Sequence, residues 1–144
     1  MVSVDRQDIM LLIADGADGP YPLDPIRLMK GCFIVDQIGP GEWGHLFDFE
    51  PYDYGPFDSS VYRARDALLG KDLLLRRPAG RYSQYEISEA GRERAAEIAA
   101  GLDEPTAGWL RNIGHWVTSK SFTELLREIY ERFPDYATKS IARV

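Results

Sequence analysis

The sequence predicts an α+β fold that is mostly helical, on three observations. Capping residues recur along the chain, and each opens a segment whose apolar residues return at helical spacing. One segment, DLLLRRPAGRYSQYEIS, instead has two strand-like stretches flanking a turn that contains Pro78, Ala79 and Gly80, with Tyr85 and Ile87 alternating with polar neighbours, which predicts a β-hairpin. The length of 144 residues, with 44% apolar and 28% charged side chains, suits a single domain with one core and no disulfides.

Asp5 caps a first helix, whose body DIMLLIADG is apolar nearly all round and therefore central, and Gly16 to Pro22 breaks it. Asp24 followed by Pro25 starts a second helix, with Ile26, Met29 and Phe33 at helical spacing before Gly39-Pro40. From Trp43 to Phe57 the chain is rich in aromatics and acids. Phe47/Phe49 and Tyr52/Tyr54 alternate with polar residues there, and Pro51 and Pro56 oppose helix, so this block runs extended and then turns.

Asp58 or Ser59 caps a third helix, in which Val61, Ala64 and Leu68 point inward with Leu69 beside them. Ser59, Arg63 and Asp66 point outward, and Arg65 lies near the edge of the apolar stripe. The hairpin follows, between Asp72 and Ser88. Ser88 caps a fourth helix to Leu102, carrying Ala95, Ile98, Ala99 and Leu102 on one face. Asp103-Glu104-Pro105 starts a fifth, to about Lys120, with Leu110, Ile113 and Val117 inward. Ser121 and Glu124 form a capping box ahead of Phe122, Leu125, Leu126, Ile129, Tyr130 and Phe133. Asp135 to Val144 is a short helix or a tail, with Lys139 and Arg143 as a basic patch. This order is that of a winged helix-turn-helix (residues 1–88) with a C-terminal helical extension (89–144), within one domain.

The formal charge of -6 is unevenly spread. Residues 1–60 carry 3 Lys/Arg against 11 Asp/Glu, and residues 61–144 carry 14 against 12. A nucleic-acid surface must therefore be local and salt-sensitive. The longest apolar run, Ile9 to Ala14, is too short to span a bilayer, and the first residues lack the order of a secretion signal, so a cytoplasmic protein is expected. The single cysteine, Cys32, lies in an apolar helical pattern and reads as a buried structural thiol. His45 and His115 lie far apart, and neither sits at a metal-ligand spacing. Asp48, Glu50, Asp53 and Asp58 lack the glycine and terminal glutamate of a calcium loop, and read as solvated acids. No nucleophile elbow, phosphate loop, dinucleotide fingerprint or Cys/His pair occurs, so no catalytic residue, metal or cofactor is assigned.

The segment FDFEPYDYGPFDSSVYRARDALLGKDLL resembles the stretch Y-x-F-x-P-Y-x-Y-G-P-F-S, followed by a helix and a hydrophobic strand, of a broad prokaryotic family of uncharacterised YwgA-like proteins. These are distantly similar to the Panacea, or SocA-like, antitoxins. YEISEAGRERA resembles the Y-x-L-T-x-x-G segment that closes the wing in many regulators, and LLREIYERFPDYATKS resembles the family's L-x-x-x-Y-x-x-Y-P-x-Y-x-x-x-S. Phe47 and Phe133 stand for the usual tyrosines, and Asp58 for a common serine. The resemblance implies a winged helix in a transcription, phage-associated or toxin-antitoxin context.

Two functions follow as expectations. In the first, a DNA-binding regulator, the third helix enters the major groove with Ser59, Ser60, Arg63 and Arg65. Arg76, Arg77, Arg81 and Tyr82 on the hairpin then contact the backbone of double-stranded DNA. Asp58 at the start of that helix stabilises it but disfavours a nearby phosphate. In the second, a protein-interaction module, Tyr52 and Tyr54 from the aromatic block and Leu126, Tyr130 and Phe133 from the last helix meet a protein partner. The same apolar stripe suggests a homodimer.

Overall fold

Each α-helix among the described residues opens on a capping residue that accepts a backbone N–H. A computed structural model describes residues 4–40, 43 and 46–140. Asp5 accepts from Asp8 N–H at 2.8 Å, and Asp8 returns the bond, starting α1 (Arg6–Gly16). Asp24 accepts from Arg27 N–H at 2.9 Å ahead of α2 (Pro25–Ile38). Then come β1 (Glu50–Tyr52), β2 (Gly55–Phe57) and α3 (Ser59–Gly70), the last capped by Asp58 through Ser60 N–H. After them lie β3 (Leu74–Ala79), β4 (Tyr82–Ile87), α4 (Glu89–Ala100), α5 (Glu104–Thr118) and α6 (Phe122–Arg132), with Ser88, Asp103 and Ser121 as the remaining caps. A 3-10 turn, Pro134–Ala137, ends the described chain. The fold is α+β and mostly helical.

α1 is the axis of the core: Ile9 to Ile13 are each at most 1% exposed, so it is wrapped on all sides. Its closest neighbour is α5, where Gly114 lies beneath the Ile13 carbonyl and Gly16 against the Arg111 backbone. A Cβ at either glycine would overlap main-chain atoms. α1 and α5 therefore touch backbone to backbone, and the C-terminal helices share one core with residues 4–88. Asp15 ties three helices together by accepting from Arg92 at 2.9 Å and Arg111 at 2.8 Å. Phe33 of α2 collects edge-on aromatic contacts from Phe49, Phe133 and Tyr136 at 5.3, 5.0 and 4.7 Å.

The two short sheets are both antiparallel hairpins. β1–β2 pairs Glu50 with Phe57 and Tyr52 with Gly55, closing through Asp53-Tyr54. The extended block thus doubles back on itself. β3–β4 pairs Leu74 with Ile87 and Ala79 with Tyr82. Its loop is Gly80-Arg81, not the expected break from Pro78 to Gly80. Pro78 is accommodated within β3, where a two-stranded sheet has only edge strands, and Gly80 takes the positive φ, 63°, that the tight loop requires. Tyr85 N–H donates to the Leu23 carbonyl at 2.8 Å, anchoring this hairpin to the connection between α1 and α2. Among the described residues no helix is long and apolar enough to cross a membrane.

Candidate functional site

α3 buries Val61, Ala64 and Leu68 and turns Ser59, Arg63 and Asp66 outward, as its spacing predicts. The expected contact surface differs in three respects. Ser60 is 6% exposed, and its buried hydroxyl has no partner among the described residues, so it does not stand on the outer face of α3. Arg63 donates to Ser59 Oγ at 3.1 Å and lines a cleft with Asp5, Arg6 and Gln7 at the start of α1. Arg65, two residues on and so about 200° around the helix, lies on the opposite flank. There it donates to Asp66 at 2.9 Å and to the Tyr85 hydroxyl at 3.0 Å, with its guanidinium 4.4 Å from the Tyr62 ring centre. Arg65 is a bracket between α3 and β4, not a free cation.

The strand register sorts the hairpin residues by face. Leu74, Arg76, Tyr85 and Ile87 share the inner face, and Leu75, Arg77, Gln84 and Glu86 the outer. Arg76 is exposed beyond the core, 6.0 Å from the Tyr85 ring centre. Arg77 pairs with Glu86 at 3.1 Å. Arg81 is exposed at the loop and forms no ion pair among the described residues, and Tyr82 beside it is 67% exposed. The fold thus gathers Arg65 and Arg76 around Tyr85, leaves Arg81 at the tip and places Arg63 elsewhere. Exposed Asp66, Asp72 and Glu86 interrupt the positive charge.

The set expected to face a protein partner divides as well. Tyr52 and Tyr54 are 52% and 45% exposed. Leu126 is fully buried, correcting its place on an open surface. Tyr130 is half-buried, with its hydroxyl bonded to Ser140 Oγ at 2.6 Å, and Phe133 is half-buried against Phe33. The stripe of α6 is consumed by its own domain: Leu126 and Tyr130 lie under Gly55 of the β1–β2 hairpin. The apolar surface left open lies beside it. A groove of about 340 Å³ runs between α2, α5 and the end of α6, lined by Ile34, Ile38, Trp109, Ile113, Trp116 and Phe133. Ile38 is 58% exposed.

Beneath the β1–β2 hairpin is a smaller cavity, about 190 Å³, that the sequence reading did not anticipate. Lys30 of α2 lines it, 3% exposed, and donates from Nζ to the Pro56 carbonyl at 3.2 Å. Burial pushes this amine down to about 7, with Asp24 opposing the shift. The signal for it is positional: Lys30 is four residues after Ile26 and three before Phe33, inside the apolar face of its helix.

Asp58 is spent on structure, accepting from Ser60 N–H at 2.8 Å and Asp48 N–H at 2.6 Å. Among the described residues no three His, Cys, Asp or Glu side chains converge as metal ligands. His115 is exposed and pairs with Asp18, whereas His45 and Arg143 lie outside the described residues. Cys32 is buried, and burial pushes its thiol up. Compared with protein-family models, with curated proteins and with solved structures, the chain matches none of them.

Proposed function

We propose that the protein is a binding module of winged-helix type that holds a protein partner in the groove between α2, α5 and α6. The observation carrying this reading is the open apolar surface around Ile38, with the Trp109 and Trp116 indoles in its wall and Arg132 and Asn112 among its polar neighbours. Exposed apolar surface rimmed by polar groups, with aromatic side chains among its lining, is what protein contacts use for much of their binding energy. The interrupted charge on α3 and the hairpin, and the acidic balance of the whole chain, favour the same reading. The sequence resemblance to the YwgA-like family, distantly similar to the SocA-like antitoxins, is in keeping with it. A homodimer is the same proposal with a second copy as the partner. Affinity capture from the native host tests it: wild type is expected to retain a stoichiometric partner or a second copy, and Ile38→Asp to lose it. Capture that is absent, or unchanged by Ile38→Asp, overturns the proposal.

A second reading, binding of double-stranded DNA as a transcriptional regulator, is favoured by a different observation. Arg76 and Arg81 are exposed without ion pairs among the described residues, and Tyr82 stands out beside them. Such a hairpin suits phosphate contact, whereas α3 presents only Ser59, Arg63 and Asp66 to a groove. Low-salt gel shifts should then weaken uniformly across sequences for Arg76→Ala and Arg81→Ala. Equal binding by the variants removes this reading.

A further inference from the structure

We propose that the cavity beneath the β1–β2 hairpin is a binding site for a small aromatic carboxylate, with Lys30 as its counter-ion. The site is built from three elements. Ile26, Met29 and Lys30 of α2 form one wall, Tyr52, Tyr54 and Gly55 to Phe57 of the hairpin the opposite one, and Tyr62 of α3 a third.

Lys30 supplies the first argument. An ammonium has three donors, and here the Pro56 carbonyl takes one of them at 3.2 Å. Among the described residues Lys30 forms no ion pair, because the acid that acts on it, Asp24, is engaged with Arg27 at 2.6 Å. Left with one neutral acceptor, the buried amine is driven toward its uncharged form, and a carboxylate would favour the ammonium by supplying both the opposite charge and the missing acceptors. No acidic side chain lines the cavity, and the nearby carboxylate whose charge reaches Lys30 and Tyr62, Asp24, is itself paired with Arg27.

The walls supply the second argument, about the rest of the ligand. Phe57 lies 5.2 Å from Tyr52 and 5.7 Å from Tyr62, centre to centre, so flat rings and the Ile26 and Met29 side chains line the space, which opens to solvent at one side. A dry apolar cavity of about 150 Å³ accepts benzene. The 190 Å³ here accommodates one ring with a carboxylate attached. Tyr52 and Tyr54, about half exposed, stand at the rim. Tyr62 also carries Arg65, which bonds Tyr85, so one ring separates the occupant from the α3–β4 bracket. The site is independent of the partner groove and of any contact with DNA.

Sodium benzoate and its neutral isostere, benzyl alcohol, titrated into the full chain and followed by amide chemical shifts, test the proposal. Benzoate is expected to bind saturably, with shifts centred on Tyr52, Gly55 and Tyr62, and benzyl alcohol at least about tenfold more weakly. Lys30→Met should bind the two alike. Benzoate that fails to saturate by ~10 mM, that binds no better than benzyl alcohol, or that shifts residues elsewhere overturns the assignment. The two-ligand comparison on wild type decides the matter even where Lys30→Met does not fold.

Discussion

The two hairpins are built alike and used in opposite ways. Each is antiparallel, and each closes through a two-residue loop with a glycine of positive φ, Gly55 just after the first loop and Gly80 within the second. In β1–β2 that glycine is buried: a Cβ on Gly55, φ 94°, would meet Lys30 Cε and Tyr130 Cε1, both at 3.3 Å. In β3–β4 a Cβ on Gly80 would meet nothing within 4 Å. The first hairpin is a lid on a cavity, pressed between α2 and α6. The second is an arm held at its base by Leu74 and Tyr85, with Arg76, Arg81 and Tyr82 exposed beyond. Hairpin geometry therefore does not set the role; the element lying underneath does.

The largest effect should come from Gly55→Ala. It adds the cost of an L side chain at positive φ, about 1–2 kcal/mol, to crowding against Lys30 and Tyr130, about 1–3 kcal/mol, for a loss near 3 kcal/mol in urea denaturation. A loss equal to that of Gly80→Ala would mean that the lid does not press on what lies beneath it.

Lys30→Met should come next, and stabilise. Removing an unpaired buried charge is expected to gain about 2 kcal/mol at pH 7. Below about pH 7 both the folded and the unfolded chain hold the proton, so the full cost of burying the charge is present. Between about 7 and the ordinary lysine value near 10.4 only the unfolded chain keeps it, so wild-type stability from this group rises with pH. The gap between Lys30→Met and wild type should accordingly narrow from pH 7 to pH 8.5, read by denaturation at both. A gap that widens contradicts the buried amine.

Gly80→Ala should cost only the backbone component, about 1–2 kcal/mol. The smallest change is expected from Arg81→Ala, within about 0.5 kcal/mol of wild-type stability, since Arg81 is exposed and forms no ion pair among the described residues. A larger loss would show the arm to be packed against something.

Much of the local structure was legible in the chain. Asp5, Asp24, Asp58, Ser88, Asp103 and Ser121 each announce a helix because a cap acts on N–H groups two or three residues away. The two strand-like stretches around the turn near Gly80 announce a hairpin for the same reason of locality. The site was less legible. Arg63 and Arg65 look like neighbours in sequence, but their flanks diverge, and only the position of Tyr85 decides that Arg65 is occupied. Leu126 and Tyr130 read as an available stripe because the residues that cover them, around Gly55, are some seventy positions earlier.

By itself the sequence determined where helices begin, which of their faces are apolar and where the chain reverses, since those follow from caps, spacing and glycine acting over a turn or two. Tertiary structure alone decided that Lys30 is sealed beneath a lid, that Arg65 is a bracket, and that Ile38 remains open beside two half-buried indoles. Those outcomes depend on which faces meet across long separations, and a side chain's charge or polarity does not record what will be packed against it.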